Sequence, residues 1–319
     1  MAGQNHIDKV AIIGGTGRLG RHFVEELLKT GRHTVTVLTR PKSTATVPKG
    51  AVLIRVDYND KAAIANALKG QQFVTIAVAA STPPATHNTL AEAAVEAGVP
   101  YIMPAAYGAD ITNARLAQDD IYTKSCLGLV QEIEKLGGTY TVLTCGFWYE
   151  WGLLLGESFF GFSIKERKVT FYDDGNTKVN SSTWGQCGRA LAALLSLPES
   201  GTLPAVSGWK NRSLRVSSFR ISQRDMLDSL HRILGTSDKD WEISFEPTEK
   251  RAADGLAALG KGDRSGFAKA MYARMFFPNG DGDYETSAGL DNEAIGLELE
   301  DLDDATRKVV EMLESGWTP

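Results

Sequence analysis

Cysteine is scarce in this chain of 319 residues: Cys126, Cys145 and Cys187 are all it has. An odd, widely spaced set builds no disulfide framework and fits a reducing compartment. Histidine is scarce too, and His6, His22, His33, His87 and His231 lack the spacing of a metal site. No apolar run approaches the roughly 18 residues of a membrane span. The opening stretch MAGQNHIDKV has no apolar core of a secretory leader. A basic surplus is missing as well: 34 Lys+Arg against 39 Asp+Glu leave a net charge of −5, which argues against a nucleic-acid binder. The G-x-S-x-G elbow of serine hydrolases is absent. These absences point to a slightly acidic, soluble cytoplasmic protein without a metal site, a nucleic-acid surface or a membrane span.

What is present is alternation. Strand-like runs at Val10–Ile13, Thr34–Leu38, Val52–Val56, Phe73–Val78, Val99–Met103 and Tyr140–Thr144 are separated by helical patterns at Phe23–Leu28, Lys61–Leu68, His87–Ala97 and Gln118–Leu136. Strict β-α alternation implies an α/β fold, a doubly wound parallel sheet with helices on both faces. After about residue 145 the pattern changes. Two strand-like runs, Lys168–Tyr172 and Thr177–Asn180, flank Asp173-Asp174-Gly175-Asn176, which suggests a hairpin. Ser222–Leu234 reads as a helix with a Ser222/Asp225 capping box and a Gly235 stop. Glu242–Phe245 reads as a short strand, and Gln186–Leu197 and Asp301–Leu313 as further helices. Lys250–Asp283, with four glycines between 255 and 266, reads as a mobile lid or an ordinary exposed loop. The expected division is a dinucleotide-binding domain over 1–150 and a smaller α+β substrate lobe over 151–319, with a segment near 178–206 returning to the first sheet.

Gly14-Gly15-Thr16-Gly17-Arg18-Leu19-Gly20 follows a strand and opens a helix. Glycines there permit a tight turn and close approach of backbone to a pyrophosphate, and the helix start offers free N–H donors. This is the Rossmann phosphate turn, to which Gly14, Thr16, Gly17, Arg18, Leu19 and Gly20 are assigned. An acid ending the second strand would bind the ribose hydroxyls of NAD. Here the position is Thr39, followed by Arg40 and Lys42, so NADPH/NADP+ is the expected cofactor, its 2′-phosphate held by the two cations. The plainer reading of both is solvated loop charge. Asp57, ending the third strand, reads equally as an adenine contact or as a cap or turn residue.

None of the nine tyrosines has a lysine four positions on, so the acid of the usual short-chain dehydrogenases is missing. Lys124 remains, near the start of the helix Gln118–Leu136. Ligands of doubly wound sheets lie beyond the carboxyl ends of the strands, so a lysine in that first turn can serve as acid or base; its plainer reading is an exposed surface lysine.

Several passages together resemble the NmrA-like and isoflavone-reductase-like group of atypical short-chain dehydrogenases, in particular its fungal, CipA-like members. They are the glycine turn with Arg40, Ala91–Val99, Pro104-Ala105-Ala106-Tyr107-Gly108-Ala109-Asp110, Asp174-Gly175-Asn176-Thr177-Lys178, Ile221–Asp225 and Gly282–Glu285. Lys124 falls where the reductase branch has its active-site lysine. Ala105 and Ala106 stand where the group has Ser and Glu, and Gln186-Cys187-Gly188 replaces an Asp-Ile-Gly. The resemblance implies NADPH-dependent reduction of a small aromatic or polyketide-type carbonyl or conjugated alkene. The nicotinamide would lie beside Ala79, Ala80, Pro104 and Ala105. Lys124 would place or protonate the substrate, or hold the nicotinamide ribose, with Tyr107 and Tyr122 as further proton donors. Phe147, Trp148, Tyr149 and Trp151 would wall an aromatic pocket together with Tyr107, or else fill a core between the lobes. A homodimer is compatible with this reading. Two alternatives stay open: a redox-sensing regulator that binds the cofactor without turnover, and a non-redox isomerase or cyclase on the same fold.

Overall fold

The computed structural model describes residues 5–108 and 110–318; Met1–Gln4, Ala109 and Pro319 lie outside the described residues. The first half runs β1 (Lys9–Ile13), α1 (Arg18–Lys29), β2 (Thr34–Thr39), β3 (Val52–Arg55), α2 (Lys61–Leu68), β4 (Phe73–Ile76), α3 (Pro84–Glu96), β5 (Tyr101–Met103), α4 (Ala114–Asp119), α5 (Ile121–Lys135) and β6 (Thr141–Thr144). The second runs β7 (Phe147–Trp148), α6 (Tyr149–Leu154), β8 (Phe162–Ser163), β9 (Lys168–Tyr172), β10 (Val179–Ser182), α7 (Trp184–Ser196), β11 (Arg212–Arg215) and β12 (Phe219–Ile221). It ends with α8 (Gln223–Leu234), β13 (Glu242–Glu246), α9 (Thr248–Gly260), α10 (Ser265–Met275), α11 (Tyr284–Ala288) and α12 (Leu302–Glu314).

The main sheet is parallel, ordered β3-β2-β1-β4-β5. A parallel bridge between Ile102 and Tyr140 continues it to β6, and β11 pairs parallel with β6. Its central strands β1 and β4 are buried almost throughout, with Val10–Ile13, Phe73, Val74 and Ile76 as near-continuous apolar runs, because both faces are covered. The strand period of two splits them: Val10 and Ile12 pack on the side of α1 and α7, while Ala11 and Ile13 pack against α2, α3 and α5. Helices on both faces of a parallel sheet make this a Rossmann architecture. Two three-stranded sheets, β12-β10-β7 and β13-β9-β8, belong with a separate core built on Phe160, Phe162, Phe171, Tyr172 and Tyr272. The second half also reaches back: α7 lies so close to α1 that a side chain on Gly188 would stand 2.7 Å from the carbonyl of His22.

Three sequence expectations are corrected. Lys168–Tyr172 and Thr177–Asn180 do not form a hairpin. β9 pairs with β8 and β13, whereas β10 pairs with β7 and β12. Asp173 instead receives the backbone N–H and hydroxyl of Thr248, anchoring the start of α9. The glycine-rich 250–283 segment is not a mobile loop: α9 and α10 pack as a tight helical hairpin, and the glycines allow the contact. A side chain on Gly266 would lie 2.3 Å from the Gly255 carbonyl. The long helix expected over Gln118–Leu136 breaks at Asp120, whose extended backbone ends α4 and whose carboxylate accepts the Thr123 N–H to start α5. The Ser222/Asp225 capping box and the left-handed Gly235 stop of α8 are as expected. Among the described residues, no helix is long and apolar enough to cross a membrane.

Candidate active site

The glycine turn is built by close approach. Gly14 has φ +84°, and a Cβ there would lie 2.5 Å from the carbonyl of Ala77 beyond β4. A Cβ on Gly20 would lie 2.3 Å from the carbonyl of Gly14, so α1 can seat directly on the turn. Gly17 caps α1 without a side-chain acceptor, and the first turn holds no acid. Its N–H groups are therefore free for an anion at the positive helix end. Thr16 is half-buried, and Leu19 is a core side chain, so Leu19 offers only backbone.

At the end of β2, Thr39 is buried while Arg40 and Lys42 are exposed. Neither cation forms an ion pair among the described residues. Tyr58, which sequence reading passed over, donates its hydroxyl to Leu38 O at 3.0 Å, and the same carbonyl accepts the Gly14 N–H. Burial pushes its phenol up to about 12, opposed by nearby Arg40. Asp57 spends its carboxylate on the backbone and side-chain amides of Asn59, while Asp60 caps α2. Asp57 thus serves as a turn residue through Oδ1, while its side chain stays exposed.

A relay of hydrogen bonds runs from this turn to the lysine helix. Ala77 N donates to Ile13 O at 2.7 Å, Tyr107 Oη donates to Ile76 O at 2.9 Å, and Tyr122 Oη donates to Tyr107 O at 2.8 Å. Lys124 follows two residues later in the first turn of α5, exposed and with no ion pair among the described residues. The tyrosine expectation is corrected here. Both hydroxyls are committed to backbone carbonyls, and burial pushes both phenols well up, so they brace strand ends instead of delivering protons.

Ala79 and Ala80 are exposed beyond β4, where the Thr82 N–H closes a turn onto the Ala79 carbonyl. Pro104 is buried, and the Ala105 N–H is held by Nε2 of His87 at 3.2 Å. His87, only 2% exposed, is a second residue that sequence reading did not place; its one signal was its position at the start of the helix preceding β5. Gly108 accepts the N–H groups of Cys145 and Gly146, joining the ends of β5 and β6.

The aromatic run after β6 divides. Tyr149 is fully buried with its hydroxyl on Thr306, and Phe147 stacks on Tyr272 at 3.8 Å. The crevice beside Phe147 is about 10 Å³, room for a water-sized group at most. Neither side chain walls a substrate pocket, which corrects that expectation. Trp148 is half-buried against the first core. Trp151 is half-buried, edge-on to both Trp184 and Trp317 and against the Arg18 guanidinium.

A family model described as the NmrA-like family matches residues 6–172, just over half of the chain. The chain belongs to the NmrA-like family. This NmrA-like protein is 27% identical over 310 residues to "Oxidoreductase aprR" of Aspergillus flavus, covering 95% of this chain and 98% of that one. Its structure is similar to that of an isoflavone reductase, with a TM-score of 0.72 and 21% identity over 94% of this chain and 99% of the other. It is also similar to AtPrR2 with NADP+ and (+)pinoresinol, with a TM-score of 0.73 and 19% identity over 95% and 98%. At these identities the two structural likenesses establish the Rossmann fold.

Proposed function

We propose that this NmrA-like protein is an NADPH-dependent reductase of small aromatic metabolites. The observation that carries the cofactor is the glycine turn: an uncapped α1 start, seated where a Cβ on Gly14 or Gly20 would collide with backbone, with Arg40 and Lys42 in place of an acid. The backbone of residues 15–20 would take the pyrophosphate, and Arg40 with Lys42 the 2′-phosphate. When bound, NADPH supplies a hydride. Support for reduction comes from the relatives, which are named oxidoreductases and reductases. Support for an aromatic substrate comes from the pinoresinol bound by one structural neighbour.

Lys124 is the proton-handling residue in this reading. It sits in the first turn of α5, and Tyr122 of the same turn is tied to Tyr107, whose hydroxyl holds the end of β4. Two measurements test the proposal. NADPH should bind far more tightly than NADH in a fluorescence titration, and Arg40→Asp should erase the preference; equal wild-type affinities would refute it. Lys124→Ala should lower kcat by about 10²–10⁴-fold with NADPH affinity little changed, and an unaltered kcat would remove the residue from the mechanism.

A second reading, a redox-sensing regulator without turnover, draws on one observation. Ala105 and Ala106 carry no polar group, and both nearby phenols are engaged. It expects equal affinity for NADP+ and NADPH, and no loss of NADPH absorbance with any quinone or phenolic ketone.

A further inference from the structure

A cavity of about 620 Å³ opens between the first turn of α1, the first turn of α7 and the C-terminal end of α12. Small-molecule sites commonly span roughly 300–1,000 Å³. Its apolar surface comes from Trp184 and Trp317, whose rings lie 6.3 Å apart at 35°, and from Met312. Its charged groups are unevenly satisfied. Arg189 is paired with Glu300, which also receives the Thr183 and Ser218 hydroxyls, and Arg21 is paired with Glu25. Arg18 and Lys308 have no carboxylate partner among the described residues.

The Arg18 guanidinium lies 4.8 Å from the ring centroids of both Trp151 and Trp317, with a long 3.4 Å hydrogen bond to Thr318 O. An arginine held between ring faces keeps its N–H edge for an acceptor in its plane. In the same cavity wall, Glu150 is 7% exposed, and both of its oxygens accept the backbone N–H of Trp184, at 3.1 and 3.2 Å. The site therefore offers an aromatic wall, two cations without a carboxylate partner among the described residues, and a buried carboxyl. A polyphosphate is disfavoured by Glu150, Glu300 and Glu311 in the same walls, and an ammonium ligand by Arg18 and Lys308.

We propose that this cavity binds a small planar hydroxylated aromatic acid. Its ring lies against Trp184 and Trp317, its carboxylate meets Arg18 and Lys308, and its hydroxyl meets Glu150. Arg18 directly follows Gly17, so the site adjoins the dinucleotide turn without using the turn's backbone donors. It holds for an enzyme and a regulator alike, and does not rest on hydride transfer.

The test is calorimetric titration of 4-hydroxybenzoate into the full-length protein saturated with NADP+. Saturable binding is expected, weakened about tenfold or more in Arg18→Gln and in Glu150→Gln. Benzoate, which lacks the hydroxyl, should bind wild type and Glu150→Gln alike. Trp317→Phe, which keeps a ring face, should retain binding, and melting temperatures of all variants separate lost binding from lost fold. Absence of saturation up to the solubility of the probe, or wild-type affinity in a folded Arg18→Gln variant, overturns the proposal.

Discussion

His87 lies in the first turn of α3, almost wholly buried, with Nε2 accepting the Ala105 N–H while Nδ1 has no partner among the described residues. Burial pushes its pKa down from 6.5 to about 4, so the ring is neutral near pH 7 and braces the turn at the end of β5. Between 6.5 and about 4 the unfolded chain takes up a proton that the folded chain does not. The stabilisation is therefore complete above 6.5 and falls as the pH drops, by roughly 3 kcal/mol once below both values. His87→Gln keeps an acceptor for Ala105 and should flatten that slope in urea denaturation while staying folded at neutral pH. His87→Leu strands a buried N–H and should lose about 1–3 kcal/mol. An identical acid slope in wild type and His87→Gln would show that another group controls it.

At the scale of elements, legibility depended on whether the determinant was local. The capping box of α8 was readable because Ser222, Asp225 and Gly235 act within one helix. The α4–α5 break was not: Asp120 is compatible with helix, and its role as a cap follows from how the two segments dock. Glycines were the most ambiguous. Gly14 and Gly20 announced a phosphate turn through their spacing, but Gly255 and Gly266 look like loop residues until α9 and α10 are seen in contact. Gly266→Ala, placing a methyl 2.3 Å from a backbone carbonyl, should destabilise by about 1–3 kcal/mol. Gly260→Ala, at the end of α9 with nothing within 4 Å, should be neutral or stabilise by about 0.4–1 kcal/mol. Similar denaturation midpoints for the two variants would mean that the helical hairpin does not need its close contact.

Across the whole molecule, long-range pairs tie the second lobe together. Arg251 is fully buried, with its guanidinium on Glu157 and Glu246 and against the ring of Tyr172. It connects the segment after α6 to β13 and β9. Arg251→Ala removes the cation from two carboxylates and should cost about 3–5 kcal/mol, read as a large drop in the denaturation midpoint; a loss below about 1 kcal/mol would mean that the pair is effectively solvated. Nothing in the sequence around Arg251 marks it out from exposed arginines, since its partners lie 94 and 5 positions away. By itself the sequence determined the parallel α/β sheet, the phosphate turn and the absence of an acid after β2. Those rest on periodicity, on glycine spacing and on one residue's charge, all of which act over a few neighbouring positions. Tertiary structure alone decided which tyrosines are free, which aromatics face space and which glycines mark contact instead of mobility. Those outcomes depend on what another part of the chain places against each side chain, and that information is spread over the whole chain.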